Sequence, residues 1–188
     1  MTTSDQWHVP LSDCDRVLGE CFAELKAIGL SQNDIPLVVK LVENPNYDWL
    51  PGFDIFNGAT DIHQHDYIHI VLGRGLLLKD EAFVLGFTAG STNRVSTTEE
   101  QLYSFFTKYI YPKNYQFSDD DIHVYKDAVK LGFISDCQRL DKVDFAAMSD
   151  MTVSEVRKAI GLEEDLLRAY FNIEMKRYPD AIECQRNL

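Results

Sequence analysis

Asp61-Ile62-His63-Gln64-His65-Asp66-Tyr67-Ile68-His69-Ile70-Val71-Leu72, then Gly73-Arg74-Gly75, then Leu76-Leu77-Leu78-Lys79-Asp80-Glu81, is the stretch on which the fold and the chemistry both turn. Helical periodicity runs from Thr60 to about Leu72 and stops at the glycines, which predicts a helix closed by a tight turn. A second helix is expected to begin near Asp80 and to continue to Gly90. Each helical residue rotates by about 100°, so His65 and His69 lie roughly 40° apart and Asp66 falls within the same arc. Asp61 sits one turn earlier on that face, whereas His63 points to the other side and is set aside. Paired imidazoles of this kind grip a metal ion, but one helix cannot surround it. Glu81 is the candidate for the other half of the site, reached across the glycine turn if Leu76, Leu77 and Leu78 supply a bend. The candidate ligands are therefore His65, Asp66, His69 and Glu81. The plainer reading of the same residues is a pair of surface histidines hydrogen-bonded to carboxylates.

Two histidines and two carboxylates form a mixed nitrogen and oxygen set, suited to one divalent ion of zinc, iron, manganese or cobalt. Other chemistries fail on particular residues. A zinc protease of the His-Glu-x-x-His type needs Glu where Asp66 stands. A di-iron bundle needs two Glu-x-x-His repeats, and none is present. There is no Walker loop, and Gly73-Arg74-Gly75 is too short for a dinucleotide fingerprint. His8 and His123 have no acidic or histidine partner at a useful spacing and read as structural or solvated.

Working outward, the rest of the chain also reads as helical, with no convincing period-two alternation. Ser12 is expected to cap a helix with apolar positions Cys14, Val17, Leu18, Cys21, Phe22, Leu25 and Ile28, which places Cys14 and Cys21 on one face. Further helices are expected around Ile35 to Val42, from Thr97 through Leu102, Phe105, Phe106, Tyr109 and Ile110 to Pro112, and from Ser118 to Gly132. The last two are predicted to follow Thr152 and to run from about Glu163 to Tyr178. Ser118 with Asp121, and Thr152 with Glu155, have capping-box spacing. Gly86 and Gly90, four apart inside a helix, predict a close approach by another backbone. The expected fold is an all-α, single-domain bundle of about seven to nine helices over residues 1–188, with short segments at either end that pack loosely.

The composition narrows the partners. Thirty acidic against 18 basic residues leave a formal charge of −12, which repels nucleic acid and gains nothing from attraction to anionic lipid. No stretch approaches the roughly 20 apolar residues of a membrane span, and the start lacks the pattern of a secretory signal. Cys14, Cys21, Cys137 and Cys184 form no Cys-x-x-Cys pair and read as free thiols. The expected setting is cytoplasmic, with peripheral membrane association left open.

His65-Asp66-x-x-His69, eleven residues, then Glu81 resembles the His-Asp-x-x-His-x11-Glu signature of the coenzyme Q (ubiquinone) biosynthesis family "Coq four". Val143-Asp144-Phe145, Val153-Ser154-Glu155-Val156-Arg157 and Ile160-Gly161-Leu162 are similar to that family's closing stretch, so the likeness covers about residues 60–162. The resemblance implies an all-α fold, often dimeric, with a divalent metal on His65, Asp66, His69 and Glu81 near an apolar cavity for a prenyl chain. It implies a part in ubiquinone assembly, by oxidative decarboxylation and hydroxylation of a prenylated aromatic acid or as a scaffold for other quinone-biosynthesis proteins. Residues 1–55 and 163–188 lie outside the likeness. Three functions therefore compete: a metal-dependent oxidative decarboxylase or hydroxylase, a lipid-binding scaffold that does no chemistry, and a metallohydrolase. Phe105, Phe106, Tyr109, Tyr111 and Phe117 serve either as a lipid groove or as plain core.

Overall fold

The computed structural model describes residues 6–28, 62–95, 107–108, 113 and 116–188. Every extended regular element among them is a helix: α1 (Leu18–Ile28), α2 (Ile62–Leu72), α3 (Leu78–Ser91), α4 (Asp119–Ile134), α5 (Val153–Ala159) and α6 (Glu164–Arg177), with single 3-10 turns at Leu140–Lys142, Ala146–Met148 and Ile182–Cys184. That is six α-helices where about seven to nine were expected. The helix expected around Ile35 to Val42 lies outside the described residues, as does the one from Thr97 to Pro112 apart from Thr107 and Lys108.

The first helix starts later than its apolar stripe predicts. It begins at Leu18, because the residues before it pair with a distant segment instead of coiling. Val153 and Ser154 donate their N–H groups to the carbonyls of Arg16 and Cys14, and Leu18 and Gly19 donate theirs to Met151 and Ser149. Val17 and Thr152 form the isolated antiparallel bridge at the centre of this pairing. Long-range backbone bonds thus replace the first helical turn, and Cys14 is not on the helix face that buries Cys21. All four cysteines are free thiols.

Local capping decides the later helices. The Ser118 hydroxyl accepts from the Asp121 N–H while the Asp121 carboxylate accepts from the Ser118 N–H. Thr152 and Glu155 repeat that exchange at the start of α5. Each box satisfies two amide donors that a helix start otherwise leaves orphaned.

Helices α3 and α4 cross at backbone contact. A Cβ on Gly86 or Gly90 would collide with the carbonyls of Tyr125 and Val129, and one on Gly132 with the carbonyl of Phe87. The core then fills from both sides, with Phe22 of α1 stacked on Tyr67 of α2 at 4.1 Å and Phe83 of α3 against Tyr170 and Phe171 of α6 at 5.4 Å. Phe117 is buried in this core.

The described residues nearest either end are packed. Trp7, Val9 and Leu11 are buried near one end, and Cys184 and Asn187 near the other. They cover each other: the Leu11 N–H donates to the Asn187 carbonyl. No helix among the described residues is long and apolar enough to cross a membrane.

Candidate metal centre

Helix α2 ends in a Schellman turn. Gly73 adopts a left-handed conformation (φ +70°) that a side chain would oppose. The Arg74 N–H reaches back to the His69 carbonyl and the Gly73 N–H to that of Ile70. The chain reverses at once, and α3 opens at Leu77, whose N–H is taken by the Asp80 carboxylate at 3.2 Å. Glu81 therefore enters the site from the first turn of α3, directly after an acid that caps the same turn. The start of α2 is pinned as well, by the Gln64 amide donating to the carbonyls of Leu140 and Val143.

This geometry brings together three of the four expected ligands. His65 Nε2 lies 3.0 Å from Glu81 Oε2 and 3.0 Å from His69 Nε2. His69 Nε2 lies 3.3 Å from Glu81 Oε1, and the side chains of His69 and Glu81 are 0% and 30% exposed. Burial alone would raise the Glu81 carboxyl, but the imidazoles of His69 and His65 outweigh it and hold the group well below the usual carboxylate range. Asp66 is not in the group whose ligand atoms converge within 4.8 Å. It stands beside that group: burial raises its carboxyl, and the neighbouring His65 and His69 moderate the rise. Asp61 lies outside the described residues. His63 is exposed, with its ring 6.0 Å from that of Phe22.

The donor set fits a small divalent cation. Bonds of about 2.0–2.1 Å place neighbouring ligand atoms roughly 3.3 Å apart on a tetrahedron and roughly 2.9 Å apart on an octahedron. The observed 3.0, 3.0 and 3.3 Å edges fall between those values. The tautomer of His69 also suits a ligand. Its Nδ1–H donates to the Gly75 carbonyl at 2.6 Å, and a carbonyl only accepts, so in the neutral ring Nε2 carries the lone pair. Two imidazole nitrogens 3.0 Å apart repel unless a proton or a cation stands between their lone pairs. Among the described residues two histidines and one carboxylate converge, a three-ligand set of the kind that catalytic sites use.

Sequence reasoning missed what stands behind these residues. Arg74 is wholly buried, its guanidinium 3.9 Å from the Phe83 ring and 4.1 Å from the Phe171 ring. It bonds Glu174 of α6 at 2.6 Å and faces Asp80 at 3.8 Å. Asp80 in turn receives Arg186 at 3.0 Å. The one local signal was an arginine between two glycines, too short a pattern to announce burial. No match to this chain emerges from comparison with protein-family models, with characterised proteins or with solved structures.

Proposed function

We propose that His65, His69 and Glu81 bind one divalent ion, with Asp66 contributing negative charge from the flank. We propose further that the chain acts in ubiquinone assembly, like the family it resembles. The substrate in this reading is a prenylated aromatic acid whose ring carboxyl leaves as carbon dioxide and is replaced by hydroxyl from water, a two-electron oxidation balanced by reduction of dioxygen to hydrogen peroxide. The observation that carries the metal reading is the meeting of two imidazole nitrogens and a carboxylate at 3.0–3.3 Å, with one imidazole locked in the ligating tautomer. A bound ion with open positions supplies Lewis acidity toward a substrate oxygen. Glu81 stays ionised beside the imidazoles and so is a ligand rather than a proton donor. The substrate class rests on the His65-Asp66-x-x-His69-x11-Glu81 spacing.

Elemental analysis of the purified protein, of His65→Ala and of Glu81→Ala tests the ion. Each variant is also introduced into a strain lacking its own quinone-biosynthesis protein of this kind. Loss of the metal together with loss of quinone supports the enzyme. Loss of the metal with quinone synthesis intact would favour the scaffold, and metal retained by both variants would end the metal reading.

A further inference from the structure

Arg74, Asp80 and Glu174 place three formal charges in the interior with no side-chain exposure at all. Buried ion pairs add little stability over apolar residues of the same size, because desolvation cancels most of the attraction. This one is also incompletely satisfied: Arg74 Nε and Nη1, Asp80 Oδ1 and Glu174 Oε1 have no hydrogen-bond partner among the described residues. Stability is therefore a poor reason for the cluster, whereas its position suggests another.

Arg74 and Asp80 bracket the short connection that carries the His69 helix into the Glu81 helix. Between them lies Gly75, whose carbonyl holds His69 Nδ1. The ions press on that residue so closely that a Cβ there would collide with Arg186 and lie 2.9 Å from both Asp80 Oδ2 and the Trp7 carbonyl. Asp80 also closes the first turn of α3 through the Leu77 N–H, one residue before Glu81. The far ends of the network are Glu174 on α6 and Arg186 near the C-terminus, both outside the stretch that resembles the ubiquinone family.

We propose that the Glu174–Arg74–Asp80–Arg186 network is a positioning device for the metal centre, through which the C-terminal segment clamps the 73–77 connection, fixes the His69 tautomer through the Gly75 carbonyl and brings Glu81 onto the imidazoles. This rests on the metal reading for its purpose but not for its geometry. The four residues touch no ion; they act through Gly75 and through the start of α3. Outer partners of this kind commonly change metal affinity 10- to 100-fold.

The test compares the full-length chain with Glu174→Gln, which keeps shape and removes charge, and with Arg186→Gln, which leaves the Arg74–Glu174 pair intact. Leu25→Ala, a core truncation in α1, serves as the control for simple destabilisation. Nitrogen-15 NMR of ion-free protein reads the His69 tautomer, cobalt(II) titration reads affinity, and urea unfolding reads stability. The two network variants are expected to bind cobalt(II) at least about tenfold more weakly and to show a mixed His69 tautomer, while Leu25→Ala changes neither. A His69 tautomer and cobalt affinity equal to the parent's in either soluble network variant would overturn the proposal. Failure of the parent itself to bind cobalt(II) would instead remove the metal reading, and the tautomer signal would still judge the clamp.

Discussion

His69 carries two demands on one ring. Its Nδ1 hydrogen is held by Gly75 while its Nε2 faces His65 and Glu81. Replacing it with alanine is expected to abolish stoichiometric metal, whereas His63→Ala, at an exposed position on the other side of the helix, should leave one ion per chain by elemental analysis. Asp66 separates direct ligation from a flanking charge. Asp66→Asn is expected to keep one ion per chain and to weaken its binding about tenfold, read by chelator competition. Complete loss of the ion in that variant would make Asp66 a direct ligand.

At the scale of elements, the crossing of α3 and α4 rests on glycines whose missing side chains let two backbones touch. Alanine is a better helix former than glycine by about 1 kcal/mol, so in an isolated helix Gly90→Ala would be stabilising. Here the new methyl would meet the Val129 carbonyl and lie 2.9 Å from the Phe133 nitrogen, atoms that cannot move independently. Overpacking dominates, and thermal or urea unfolding is expected to show a net loss of about 2–3 kcal/mol. The caps are smaller effects. Ser118→Ala leaves the Asp121 N–H without its acceptor and is expected to lower stability by about 1 kcal/mol.

Across the whole molecule, the N-terminal segment ties the network to solution pH. His8 donates from Nε2 to the Gly73 carbonyl, and burial, with the positive charges of Arg186 and Arg74, pushes its pKa down to about 4. The unfolded chain binds that proton at about 6.5, so between these values it holds more protons than the folded chain does. The contribution of neutral His8 is full above about pH 6.5 and is lost as pH falls toward 4, by about 3 kcal/mol at most. Urea unfolding at successive pH values is expected to show this loss in the parent and not in His8→Gln. Ion removal is a second global effect. If one ion binds the folded state alone, an excess of 100 times Kd stabilises it by about 2.7 kcal/mol, and a chelator should lower the melting temperature accordingly.

Much of what depends on near neighbours in the chain was legible in the residues. The positions of α2 and α3, the Gly73 stop, the boxes at Ser118 and Thr152, and the shared face of His65 and His69 follow from helical period and capping, which act over a few residues. The Gly86 and Gly90 spacing even announced a close crossing. What needed the tertiary structure was whatever a distant partner decides. Cys14 to Val17 coil no helix because residues 149–154 offer their backbone first. Arg74 lies buried because Glu174, a hundred positions away, supplies its countercharge, and Asp80 because Arg186 reaches it. Local periodicity orders side chains around one axis. Only the packing of several axes determines which charges lose their water, and that loss is what sets Gly75 against His69 and places Glu81 within reach of the imidazoles.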